Sequence, residues 1–139
     1  MPVYEDIESI QQGLALFNQR LLNRGYSFRV YSLDTHCLYI QGSFDFGYYV
    51  NVHIEFRDLV YTNIDSKEEW PDAWHEDQLF LLDEEETTEI IQVEGIEVDG
   101  EKKYTGFVFN ICGRDNFRAK GCIICSKLYI WWEYPYNEA

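Results

Sequence analysis

Cationic residues are scarce in this chain. It holds 11 Lys and Arg against 25 Asp and Glu, a formal net charge of −14. Phosphate recognition needs concentrated Lys and Arg, so nucleic acid is excluded as an expected partner. Anionic membrane surfaces are disfavoured for the same reason. No apolar run approaches the ~18 residues of a membrane-spanning helix. The first residues, MPVYEDIESI, are acidic and carry no apolar signal core, so the expected compartment is the cytoplasm. Histidines number only three, and none shows the His-Glu-X-X-His spacing of a helical zinc site. A glycine-rich phosphate loop, a dinucleotide fingerprint and a Gly-X-Ser-X-Gly elbow are all missing. No motif identifies a reaction, and no catalytic residue, cofactor or metal is assigned.

What is present points to a compact β-rich domain. Of the 139 residues, 46% are hydrophobic and 17% aromatic, enough to fill one core without disulfide or metal support. Aromatic residues fit pleated, half-buried surfaces. There is no internal repeat and no Ser/Gly linker, so residues 1–139 read as one domain.

The first element reads as a helix from about Glu5 to Arg24. Ile7, Ile10, Leu14, Phe17 and Leu21 recur at steps of three and four, which places them on one face. Acidic residues open the helix and Arg20 and Arg24 close it, matching its dipole. The period then switches to two. Strands are predicted over Tyr26–Leu33, Cys37–Phe44, Tyr48–Arg57, Leu59–Asn63, Leu79–Leu82, Thr88–Val98, Tyr104–Ile111 and Cys122–Tyr134. "SKEEWPDAWHEDQ", residues 66–78, reads as a loop or short helical turn. "DEEE", 83–86, reads as a solvated bend, and Asp99-Gly100 as a hairpin turn. The expected fold is α+β, with the N-terminal helix on one face of a curved antiparallel sheet of about six to eight strands.

Cys122-Ile123-Ile124-Cys125 has the spacing of a zinc or redox pair. A zinc knuckle needs a tight turn between its cysteines, and here the spacers are strong strand formers. In a strand, residues three apart point to opposite faces. No second pair completes a metal site. The cysteines read as structural thiols in a reducing compartment.

Two surfaces stand out. Between Asp65 and Glu101 lie 15 acidic residues and one basic residue, Lys67, while the rest of the chain balances 10 against 10. The whole net charge therefore sits in one segment, beside two tryptophans. Trp70, Trp74, Glu76, Asp77, Asp83, Glu84, Glu85 and Glu86 are the candidate contact residues for a basic protein partner. Acidic fields steer such partners, and aromatic residues within them make hot spots. In charge and aromatic content alone, the chain resembles small acidic bacterial immunity proteins that neutralise basic nuclease toxins. The second surface is the polar face of the clearest strand, with Tyr49, His53 and Glu55. Together with Tyr129 and Trp131 of the last strand it could line a small-molecule pocket or a small enzyme's cleft. The last strand is apolar on both faces, so the strand or its aromatic face is also a candidate contact for a homo-oligomer.

Overall fold

The computed structural model describes residues 3–21, 26–43, 46–47, 49–64, 70–71, 79–112 and 118–133, with 70–71, 111–112 and 118–120 described as backbone. Helix α1 spans Ile7–Leu21, and its buried face is Ile10, Gly13, Leu14, Phe17 and Leu21; Ile10, Leu14, Phe17 and Leu21 belong to the predicted stripe, whereas Ile7, at the helix start, is exposed. Asp6 caps the start, its carboxylate accepting the Ser9 amide at 2.9 Å. That bond holds the Asp6 carboxyl below its ordinary pKa.

The strands run β1 (Val3–Tyr4), β2 (Ser27–Leu33), β3 (Cys37–Ser43), β4 (Val52–Arg57), β5 (Tyr61–Thr62), β6 (Trp70–Pro71), β7 (Leu79–Leu81), β8 (Thr105–Cys112), β9 (Arg118–Cys125) and β10 (Lys127–Trp132). A second helix, α2 (Glu84–Val93), lies between β7 and β8. The fold is α+β, with the N-terminal helix packed on an antiparallel sheet. The strands divide into two sheets, ordered β1-β10-β4-β3-β2-β6 and β5-β9-β8-β7. One continuous core joins them. Phe17 of α1 meets Phe28, Phe28 meets Phe109 edge-on at 5.1 Å, and Phe56 meets Phe107 at 5.6 Å.

Five local expectations change. The acidic bend expected over 83–86 and the first half of the strand expected over Thr88–Val98 together form helix α2, Glu84–Val93. Asp83 is its N-cap, with a carboxylate that accepts the Glu85 amide at 2.8 Å. Glu84, Glu85 and Glu86 occupy the first turn, where the helix dipole favours negative charge. Thr87 and Thr88 turn their hydroxyls back onto the carbonyls of Asp83 and Glu84, so their β-branched shape is absorbed by the helix. Asp99-Gly100 is a turn, with the Lys102 amide donating to the Asp99 carbonyl at 3.1 Å, but it joins a helix to a strand and closes no hairpin.

The long last strand is two strands in different sheets. It breaks at Ser126, whose amide donates to the Arg57 carbonyl and whose hydroxyl donates to the Asp58 carboxylate at 2.8 Å. The break exchanges the inward face. Before it, Ile123 and Cys125 join the core; after it, Leu128 and Ile130 do. The strand expected from Tyr48 begins at Val52, leaving Tyr49 in the preceding connection. Trp70 and Pro71, expected in a helical turn, form a short edge strand against Phe28 and Ser27.

Candidate functional site

The outward face of the larger sheet brings together residues that are far apart in the chain. Across β10 and β4, Trp131 pairs with His53 and Tyr129 with Glu55. Across β3 and β4, Gln41 pairs with His53 and Tyr39 with Glu55. Directly opposed residues of an antiparallel pair share a face, so all six stand side by side. Trp131 stacks on the His53 ring, with centroids 4.8 Å apart. The Tyr39 hydroxyl hydrogen-bonds His53 Nδ1. Glu133 Oε2 lies 3.0 Å from Nε2, without the alignment of a hydrogen bond. His53, expected on a solvated face, is buried, because Trp131 and Tyr39 cover it from the two flanking strands.

Apart from His53 Nε2, most of the polar groups here are matched to one another. Arg57 donates to the Glu55 carboxylate at 2.7 Å through Nε and 2.6 Å through its terminal nitrogen. Glu55 thereby holds the guanidinium above its ordinary pKa. The same guanidinium sits 4.1 Å over the Tyr129 ring. Arg29 donates twice to Gln41 Oε1 and lies over the Phe46 ring. Burial pushes the Tyr39 phenol up, so this hydroxyl stays protonated. Of the five residues expected to line a ligand pocket, the sheet unites His53, Glu55, Tyr129 and Trp131. Tyr49 stands apart from β4. Tyr39 and Gln41 were missed; their alternation along β3 was visible in sequence, but the neighbour of that strand was not.

The acidic surface is different. Helix α2 buries a single residue, Thr87, and leaves Glu84, Glu85, Glu86 and Glu89 exposed. Among the described residues, none of these four carboxylates forms an ion pair with Lys, Arg or His. Glu85 and Glu89 stand four apart on the helix, a spacing at which like charges repel. Glu94 caps the C-terminus, and the last turn carries no basic residue, so the negative end of the helix dipole is also uncompensated. Asp83 is used as the N-cap. Of the other expected contact residues, Trp74, Glu76 and Asp77 lie outside the described residues, as does the Trp70 side chain.

Among the described residues, the cysteines carry no reactive arrangement. Cys122 pairs across the sheet with Val108 and Cys125 with Thr105, and both are free thiols. Burial pushes both thiols up in pKa, which is opposite to what a redox pair requires. Among the described residues, no group of three His, Cys, Asp or Glu could hold a metal ion. Nor is any described helix long and apolar enough to cross a membrane.

No protein-family model matches the chain, and no curated protein or solved structure matches it either.

Proposed function

We propose that this protein is a non-catalytic binding module that presents its acidic segment, with the exposed face of α2 at its centre, to a basic protein partner. One contrast carries the reading. On the sheet face, Arg29, His53, Glu55 and Arg57 are engaged with neighbouring side chains, so the charges serve the fold. On α2, four exposed carboxylates have no cationic partner among the described residues, and their mutual repulsion costs stability. A cationic partner would relieve that repulsion on binding, and the field would speed encounter. The same contrast weighs against a ligand pocket on the sheet face, whose donors and acceptors a ligand would have to displace.

The charge reversal Glu89→Lys separates structure from function. It places a cation four residues after Glu85, a stabilising helix pair worth roughly 0.3 kcal/mol. Thermal unfolding should therefore show a protein at least as stable as the parent. Capture of a basic partner from lysate of the source cells, compared at low and moderate salt, should be lost for this variant. Retention of the partner with unchanged salt dependence would refute the electrostatic reading.

A further inference from the structure

Beside α2 lies a cleft of about 370 Å³ between that helix, the exit of β7 and the start of β8. Its shape has a local cause. Gly106 lets the helix approach, because a Cβ there would stand 2.3 Å from Thr87 Oγ1. Thr87 is the one buried residue of α2, so the helix seats at that point. Glu84, Thr88 and Ile91 belong to the same helical stripe as Thr87 and line the cleft with it.

The lining is amphipathic. Half-buried Leu81, Leu82 and Ile91 make an aliphatic floor. Glu84 and Lys103, of opposite charge, both line the cleft, yet the two form no ion pair, and neither has a charged partner among the described residues. The connection that carries Lys103, just before β8, is anchored: the Tyr104 hydroxyl accepts the Asp99 amide at 3.2 Å, and the Lys102 amide closes a turn onto Asp99. The cleft is thus largely preformed, which lowers the ordering cost of binding.

We infer that this cleft binds a small aliphatic zwitterion, a free branched-chain amino acid being the simplest. Its ammonium faces Glu84, its carboxylate faces Lys103, and its side chain covers Leu81, Leu82 and Ile91. Burying an aliphatic side chain against that floor supplies the drive, and the two charges supply selectivity for a ligand carrying both. This site goes beyond the partner-binding reading and does not depend on it.

The test is a titration of the isotopically labelled protein with L-leucine, followed by amide shifts and by calorimetry. Saturable shifts are expected at Thr87, Tyr104, Thr105 and Gly106. 4-Methylpentanoate lacks the ammonium and 3-methylbutylamine lacks the carboxylate, and each should bind about tenfold more weakly or worse. Lys103→Gln is an exposed substitution that leaves the core untouched, and it should weaken leucine to the level of the amine. Ile91→Trp, which fills the cleft, should abolish binding. Glu85→Gln with Glu89→Gln should leave leucine binding intact while weakening any basic partner, so failure of one reading is told from failure of the other. The inference is overturned if leucine gives no saturable shift at about 10 mM, where a millimolar Kd would be seen. It is equally overturned if the amine matches leucine, if Lys103→Gln has no effect, or if the shifts map outside the cleft.

Discussion

Trp131 lies flat on His53, with ring centroids 4.8 Å apart and planes 7° from parallel. The two residues are 78 positions apart and meet because β10 inserts beside β4 in antiparallel register. The stack, closed on its other side by Tyr39, turns a polar strand face into a second, smaller cluster in which half-buried Tyr39 and Trp131 cover buried His53.

That cluster contributes to stability. Trp131→Ala should lower the unfolding free energy by about 2 kcal/mol, less than a fully buried tryptophan because Trp131 is half-buried. Trp131→Phe should recover more than half of it. Urea denaturation reads both. A loss below about 0.5 kcal/mol would mean that the stack is no more than surface packing.

Gly106 is required by proximity, since its added Cβ would collide with Thr87 Oγ1 and crowd Leu82. Gly106→Ala should destabilise by about 2 kcal/mol. Thr87→Ala removes the colliding hydroxyl, so the double variant should lose less than the sum of the singles. A double-mutant cycle that adds without coupling would show that the two groups do not compete for that space.

The N-cap of α2 can be tested alone. Asp83→Ala should cost about 1 kcal/mol, and Asp83→Asn much less, because the asparagine oxygen still accepts the Glu85 amide. Amide hydrogen exchange should speed up within residues 84–93. Unaltered exchange there would deny Asp83 its capping role.

Asp58 links stability to pH. Its backbone φ is 55°, in the left-handed region that Asp and Asn tolerate better than most residues. The Ser126 hydroxyl bonds its carboxylate and Lys102 stands 3.4 Å away, and together they hold its pKa below the ordinary value. A lowered folded-state pKa means that the ionised form is favoured by folding. The contribution is therefore present above the unfolded value of about 4 and is lost as pH falls through the folded value. Asp58→Asn keeps the backbone conformation and removes the titration. The stability gap between parent and variant should be widest near neutrality and should close on acidification below about pH 4. A gap that stays constant with pH would remove Asp58 from the acid response.

Helix α1 was readable, with most of its buried face, because its apolar stripe repeats over four turns and needs no knowledge of what covers it; Ile7, in the same stripe, is exposed. The core of β4 was readable from strict alternation. The second helix was not, because Thr87, Thr88, Ile90 and Ile91 are strand formers taken singly. The signal that could have found it is Asp83 followed three residues later by Glu86, the pattern of a capped helix start. Of the acidic surface, sequence located the charge within 65–101 but not the helix that presents part of it.

Local pattern alone was enough for the α+β class, most of the buried face of α1, the alternation of β3 and β4 and the concentration of negative charge, because each depends on neighbours along the chain. Tertiary structure decided the rest. A period of two says that a strand has two faces, but not which strand lies beside it. Apolar residues on both faces of 121–132 hid the break at Ser126, where the inward face changes as the chain passes from one sheet to the other. The same limit applies to the union of Tyr39, His53 and Trp131 on the sheet and to Glu84 and Lys103 at one cleft. Those groupings are set by strand order and helix docking, which are non-local contacts that no short window of sequence contains.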